Sequence, residues 1–483
     1  MSNENEASGK HIHLVAICGV GMAPLAVMLK GAGHHVTGSD KAAFPPMSDV
    51  LGAAGIEIMS GFDEEHLAGR PDLVVVGNAV PKTNPEAVAA ERMGIERTSF
   101  PEAVARFFLE GKRSLVVAGT HGKTTTTGML AGALQVAGLG PGYLVGGLVR
   151  DLGQFAAAGT GEFFVIEGDE YDSAFFDKRP KFVHYQPAAA IVTSVEFDHA
   201  DIYDGLDHIK SAFRGLADQV ADGGPLVACG DDPNVLDAVG GAGPGRVVTY
   251  GVSAACDWCP AVVESGPGGT TFDVSHGGRP EARLTLRLTG VMNVLNATAV
   301  YALSRELDVD PKAVTEALAS YRGPARRQEL VGEAAGVTII DDFAHHPTAV
   351  AATLAAMRAR FPGRRLRAVF EPRSNTSRRA IFQDHYAEAL RAADAVAVSE
   401  VFVKETDPLA ADEMLSTERL VTDLRAAGTD AWVASGPDAI LERLAAELAA
   451  GDVVVCMSNG AFGNLPRRLL ASLGSGSLVG ATV

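Results

Sequence analysis

Short apolar runs alternate with alanine-rich or amphipathic runs along most of the chain, and glycine-rich polar turns separate them. In the first hundred residues, apolar stretches at 13–17, 35–37 and 72–76 predict strands. Each runs into a polar turn: Cys18-Gly19-Val20-Gly21-Met22-Ala23-Pro24, then Gly38-Ser39-Asp40, then Gly77-Asn78-Ala79. A helix-like run to Ala32 follows the first turn. A second block begins with a strand at 114–117, the turn Ala118-Gly119-Thr120-His121-Gly122-Lys123-Thr124-Thr125-Thr126 and a helix-compatible run at 125–136. Further strands are expected at 163–166 and 189–192 and a helix at 293–306, while 247–288, rich in Val, Thr and Gly without a helical period, reads as short antiparallel strands. A third block repeats the alternation, with strands at 337–340, 366–370, 395–398 and 453–456 and helices at 349–360 and 439–449. Gly323-Pro324-Ala325-Arg326-Arg327 reads as a hinge and 474–483 as a frayed tail. Strands alternating with helices predict parallel α/β sheets, with ligands at the carboxyl ends of the strands.

The 483 residues are too many for one core. The pattern divides them into blocks at 10–111, 112–324 and 325–483. The net charge of −18 argues against general nucleic-acid affinity but leaves room for an anionic substrate at a local cationic site. No apolar run reaches the roughly 20 residues of a membrane helix. The polar, acidic start, Met-Ser-Asn-Glu-Asn-Glu, does not read as a signal or transit peptide. The expectation is a cytoplasmic protein bound to neither membrane nor nucleic acid. The five cysteines read as reduced thiols, because the lone Cys256-Asp257-Trp258-Cys259 pair cannot complete a four-ligand zinc site.

The turn at 118–126 carries the strongest chemistry. Glycines let backbone N–H groups close on phosphate oxygens, and the helix start adds partial positive charge. Lys123 can reach terminal phosphates, and the Thr124 hydroxyl can sit on a magnesium ion. The loop is shorter than the general P-loop, because Val117 stands where that pattern has its first glycine. Acidic groups end the next two strands: Glu167-Gly168-Asp169-Glu170-Tyr171-Asp172 and Glu196-Phe197-Asp198-His199-Ala200-Asp201. Carboxylates there suit a hard magnesium ion that neutralises phosphate charge, and the histidine suits a second ion. The earlier turn is a broken dinucleotide fingerprint, with Pro24 replacing the third glycine and Asp40 about where a ribose-binding acid would stand. It points to some nucleotide diphosphate more than to NAD. In the third block, Asp341-Asp342-Phe343-Ala344-His345-His346-Pro347, Glu371-Pro372-Arg373-Ser374-Asn375-Thr376 and Ser458-Asn459-Gly460 all end strands and together suggest a site.

These segments, with Asn293-Val294-Leu295-Asn296-Ala297-Thr298, fall in the order seen in the Mur ligase family, which the chain resembles from about His11 to Leu470. The resemblance implies a Rossmann-like N-terminal domain that binds UDP, a central P-loop ATPase and a Rossmann-like C-terminal domain that brings an amine. It further implies ATP-dependent amide formation on UDP-N-acetylmuramate through an acyl phosphate, with Mg2+ and without a stable protein partner. Within the family, the run 175–185 and the Glu-Pro-Arg-Ser-Asn-Thr segment resemble the branch that adds the murein tripeptide L-alanyl-γ-D-glutamyl-meso-diaminopimelate, rather than the one that adds L-alanine.

By motif position, the resemblance assigns ATP to Gly119, Thr120, His121, Gly122, Lys123, Thr124, Thr125, Asn293, Asn296, Arg327 and Asp342. Thr124, Glu167 and His199 are the implied metal ligands, with Lys123 and His199 catalytic. Gly19, Gly21, Met22, Ser39 and Asp40 would frame the UDP, and Arg373, Ser374, Asn375 and Ser458 the acceptor. Three departures stand out. Met292 replaces a common histidine, Gly168 a common alanine, and Phe213 and Arg214 lie where several relatives carry a carbamylated lysine, so no carbamate is expected. An oxidoreductase would leave the P-loop and acids without a task, and a P-loop switch would hydrolyse ATP without any UDP-sugar.

Overall fold

The computed structural model describes residues 9–200, 202–241, 243–403 and 409–476. The start of the chain, Asp201 and the end of the expected tail lie outside the described residues. The chain folds as two compact units. The first holds residues up to Glu196 with Leu206–Tyr250 and Ala299–Ala317; the second holds Phe197–Gly205, Gly251–Thr298 and Leu318 onward.

The first unit contains one parallel sheet and one that is parallel but for an edge strand. Strands β1 (His11–Val15), β2 (His35–Asp40), β3 (Ile58–Ser60), β4 (Leu73–Val76) and β5 (Glu96–Ser99) form one, in the order β3-β2-β1-β4-β5. Val15, Val74 and Val76 bury one face of it together with Leu67, Ala89 and Ile95. The second sheet is built from β6 (Arg113–Ala118), β7 (Gly142–Val149), β8 (Gln154–Ala157), β9 (Phe163–Gly168), β12 (Ala189–Val192), β13 (Pro225–Cys229) and β14 (Arg246–Tyr250). Its order is β14-β13-β12-β6-β9-β7-β8, and β8 alone among these seven runs antiparallel to its neighbour. The central strands β6, β9 and β12 are almost wholly buried and accordingly carry near-continuous apolar runs. A small hairpin, β10 (Asp172–Ala174) and β11 (Asp177–Pro180), follows the acidic turn.

The second unit contains an antiparallel meander, β15 (Trp258–Gly266), β16 (Gly269–His276) and β17 (Arg279–Leu286). Its other sheet comprises β18 (Glu329–Ala334), β19 (Val337–Asp342), β20 (Leu366–Phe370), β21 (Ala395–Ser399), β22 (Asp430–Ala434) and β23 (Val453–Met457). The order is β18-β19-β23-β20-β21-β22, with β18 antiparallel to β19 and the remaining pairs parallel. Helices cover both faces, packing Val350, Leu354 and Tyr386 on one side and Ile440, Leu444 and Leu469 on the other.

The expected run of antiparallel strands at 247–288 needs correction at its start. β14 pairs parallel with β13, and the antiparallel strands begin at Trp258. The three antiparallel strands are also longer than expected, at eight or nine residues each.

Candidate active site

Ala118 of β6 pairs in register with Gly168 of β9 on one side and with Val192 of β12 on the other. The loop 119–122 and both acidic turns therefore leave the same edge of one sheet. Gly119 has φ +135 and Gly122, the residue before the helix Lys123–Val136, has φ +82. Both are conformations that a side chain strains. A Cβ on Gly119 would also lie 2.0 Å from Thr193 Oγ1. The loop is stapled to the end of β12. Thr120 N–H donates to the Ser194 carbonyl at 2.9 Å, His121 N–H donates to Ser194 Oγ at 3.0 Å, and Glu196 N–H donates to Thr120 Oγ1 at 2.9 Å.

Lys123 Nζ donates to the Gly119 carbonyl at 2.7 Å and to Glu170 Oε2 at 2.8 Å. Burial disfavours its charge, but Glu170, Asp169 and Glu167 outweigh burial and raise its pKa. Thr124 Oγ1 donates to Glu167 Oε2 at 3.1 Å, and the other Glu167 oxygen accepts from Gly146 N–H. Burial, reinforced by the Asp169 charge, pushes Glu167 up to about 7. A carboxylate so disfavoured in its charged form, beside a hydroxyl and at a phosphate loop, fits a hard divalent cation. Thr124 and Glu167 could hold such an ion here.

At the first turn, the assigned polar residues are held by neighbours outside the assigned set. Asp40 Oδ2 accepts from Cys18 N–H at 2.9 Å, so this acid closes the glycine turn. Ser39 is fully buried, and its hydroxyl donates to Glu86 Oε2 at 2.6 Å. Glu86 also meets His66 Nδ1 at 2.6 Å and His13 Nε2 at 3.4 Å. Burial opposes the Glu86 charge, yet these hydrogen bonds lower its pKa. Gly21 has room for no more than hydrogen, since a Cβ would stand 2.9 Å from Phe100 Cζ. Met22 opens the following helix and is buried.

In the second unit, His199 takes a left-handed backbone at φ +53, and its N–H donates to Asp198 Oδ1 at 2.7 Å and to Thr376 Oγ1 at 3.2 Å. Thr376 Oγ1 in turn donates to Asp198, which is buried and held well below the usual carboxylate range by His199, His345 and that hydrogen bond, against the cost of burial. Asn293 and Asn296 are buried on the helix Val291–Glu306, and Asn293 Nδ2 donates to the Thr289 carbonyl at 2.8 Å. Arg327 lies 4.8 Å over the Phe343 ring. Asp342 accepts from Gln328 N–H, Ala344 N–H and the Thr353 hydroxyl, so its carboxylate ties the hinge to β19.

The four acceptor candidates are brought to strand ends of the last sheet. Arg373 stacks 3.8 Å over Phe402 with Nη1 3.7 Å from Glu371. Ser458 Oγ donates to Glu371 and accepts from Gly460 N–H, and Ser374 N–H and Oγ meet Ser377 Oγ, both at 2.9 Å. Asn375 lies between them in the same turn. The motif order did not single out Arg326, which donates to Asp341 at 3.1 Å and to the Ser458 carbonyl at 2.7 Å. In the region where no carbamate is expected, Phe213 is fully buried against Phe182, and Lys210 pairs with Asp237 at 3.0 Å.

A strand, a glycine loop and a helix, with lysine and hydroxyl facing carboxylates, define a P-loop nucleotide site. Three family profiles match along the chain: the Mur ligase family catalytic domain at 11–111, the Mur ligase middle domain at 117–304, and the Mur ligase glutamate ligase domain at 326–460. The chain belongs to the Mur ligase family, whose members are ATP-dependent ligases. It is 38% identical to a UDP-N-acetylmuramate–L-alanyl-γ-D-glutamyl-meso-2,6-diaminoheptandioate ligase of Escherichia coli K12, over 96% of this chain and 98% of that one. It is 42% identical to a UDP-N-acetylmuramate–L-alanine ligase of Kineococcus radiotolerans, over 82% of this chain and 83% of that one. The crystal structure of a murein peptide ligase from Psychrobacter arcticus is similar, with a TM-score of 0.72 and 34% identity over 96% of this chain and 99% of the other. Among the described residues no helix is long and apolar enough to cross a membrane.

Proposed function

We propose that this protein uses ATP to join UDP-N-acetylmuramate to the tripeptide L-alanyl-γ-D-glutamyl-meso-diaminopimelate, as part of peptidoglycan recycling. The observation that carries the reading is the Lys123 loop facing Glu167, Asp169 and Glu170, in a chain that matches a ligase of that name across nearly its whole length.

A carboxylate is a poor electrophile, because its oxide leaving group is prohibitive. The donor's lactyl carboxylate therefore attacks the γ-phosphate of ATP, giving an acyl phosphate and ADP. The free amine of the tripeptide attacks that carbonyl, forms the amide and expels phosphate. Two anions must meet in the first step, so cationic groups must clamp them. Lys123 would exchange Glu170 for the β- and γ-phosphates, and the N–H groups of Gly119–Thr125 would cradle them at the helix start. Magnesium held by Thr124 and Glu167 would neutralise phosphate charge when bound. His199 would serve a second ion, with Asp198 and Thr376 fixing its backbone. Asn293, Asn296, Arg327 and Asp342 would border the adenine and ribose, and the first glycine turn would hold the UDP. Arg373, held over the Phe402 ring, would offer its fork to an acceptor carboxylate.

The L-alanine-adding reading stays in view because of the Kineococcus relative. Purified protein given ATP, Mg2+ and UDP-N-acetylmuramate should release ADP with the tripeptide and far less with L-alanine. The reverse preference would overturn the acceptor assignment while leaving the ligase chemistry intact.

A further inference from the structure

The acids facing Lys123 have a second cation that the proposed chemistry does not use. Lys181 follows the hairpin of β10 and β11, and its side chain is about nine-tenths buried. Its Nζ lies 3.1 Å from Asp169 Oδ2 and 3.1 Å from the Tyr171 hydroxyl. The ammonium also sits 4.2 Å from the Tyr171 ring centroid and 5.2 Å from that of Phe100. Phe100 is the ring that crowds Gly21 at the first glycine turn. Two oxygens and two aromatic faces thus enclose Lys181, a setting that suits a desolvated cation. Lys123 is held differently, by one carbonyl of its own loop and one carboxylate. Three acids, Glu167, Asp169 and Glu170, therefore lie around two lysines, one with two oxygens and two aromatic rings about it and one with two oxygens.

We propose that Lys181 is a positioning residue that keeps Asp169 paired, so that Lys123 is released from the acid cluster to hold the nucleotide phosphates. This rests on the P-loop reading above and adds a residue to it. The 3.1 Å ion pair with Lys181 holds the Asp169 carboxylate, and Lys123 lies on the neighbouring Glu170 of the same turn. Without Lys181, Asp169 must turn to Lys123. The lysine then faces two competing carboxylates in a buried place, and moving it to a phosphate leaves both of them uncompensated. An arginine at 181 preserves the charge, whereas a methionine preserves only the stem.

The test is titration of wild type, Lys181→Met, Lys181→Arg and the double variant Lys181→Met with Asp169→Asn with a non-hydrolysable ATP analogue and Mg2+, with thermal melting as a check on folding. Lys181→Met should bind the analogue roughly ten- to a hundredfold more weakly, a part of what an unpaired buried charge costs. Lys181→Arg should bind nearly as wild type, and the double variant should recover most of the loss because the neutral amide needs no cation. A folded Lys181→Met with wild-type affinity would overturn the proposal. So would a folded double variant as weak as the single one, since a merely structural role for Lys181 predicts no rescue. If Lys181→Met does not fold, the double variant and Lys181→Arg still decide: wild-type affinity in both supports the proposal, and weak binding by the folded double variant overturns it. Wild type that binds no analogue would instead contradict the P-loop reading itself.

Discussion

Both glycine turns of the first unit follow a buried parallel strand and open a helix, yet glycine answers a different need in each. At 119–122 it is demanded by backbone conformation, φ +135 and +82, and by the approach of Thr193. At 19–21 the backbone is ordinary; Gly21 has φ −88, and only the Phe100 ring excludes a side chain. The charges differ in the same way. The first turn has its acid, Asp40, bonded to its own backbone N–H and its serine bonded to a buried glutamate. The second has a lysine paired with the Glu170 carboxylate, which under the proposed function a phosphate would replace. A closed, self-satisfied turn suits binding of a spectator diphosphate. A turn with an exchangeable cation suits the phosphate that reacts.

The largest effect that sharpens this contrast is expected from Gly119→Ala. The new methyl must displace Thr193 Oγ1 from 2.0 Å while the residue holds φ +135. ATP turnover should fall by about 10²-fold or more, the scale of misplacing a reacting group by an ångström, while UDP-sugar binding measured by calorimetry stays near wild type. Gly21→Ala should do the converse and less. Its backbone tolerates alanine, so only the Phe100 contact must yield, and the UDP-sugar KM should rise by roughly tenfold, about 1.4 kcal/mol, with ATP-analogue binding little changed. An equal loss of both ligands in either variant would break the comparison.

The smallest effect concerns the support beneath the first turn. Glu86→Gln should lower unfolding stability by about 1–3 kcal/mol, the cost of a buried, partly unsatisfied hydrogen-bonding group, as read by urea denaturation near neutral pH. The Glu86 pKa is lowered from 4.5 by its partners. Its contribution is therefore fully present above 4.5 and lost as pH falls through the lower folded value, so the gap between wild type and variant should close in acid. A gap that widens in acid would contradict the assigned sign.

Most of the sheets' interior was legible from the chain, with β7 and β13 as exceptions, and their margins were not. Strands expected at 189–192 and 366–370 match β12 and β20, because a strand buried on both faces must be an apolar run. The strands that the alternation misses are mostly edges: β3 and β5 in the first sheet, β8 in the second, β18 and β22 in the last. Glu96-Arg97-Thr98-Ser99 and Glu329–Ala334 are part solvent-facing and carry charge, which blunts the signal. β13 has no such excuse, since Pro225–Cys229 is apolar and interior. At the site, the phosphate loop and acids are local in sequence and easily read. Glu86 is not: it follows Asn84-Pro85 in a helix's first turn, where an acid is ordinarily solvated, and only the fold buries it against His13, Ser39 and His66. Lys181 is hidden for the same reason, as its partners come from the acidic turn and from a helix that no spacing brings together.

The central claim is that Lys123 leaves the acids to grip the phosphate that is transferred. The direct measurement is ADP release by Lys123→Ala in the presence of ATP, Mg2+, UDP-N-acetylmuramate and the tripeptide, alongside calorimetric binding of the UDP-sugar. The account predicts loss of ADP release with UDP-sugar affinity preserved; turnover within a few-fold of wild type would contradict it.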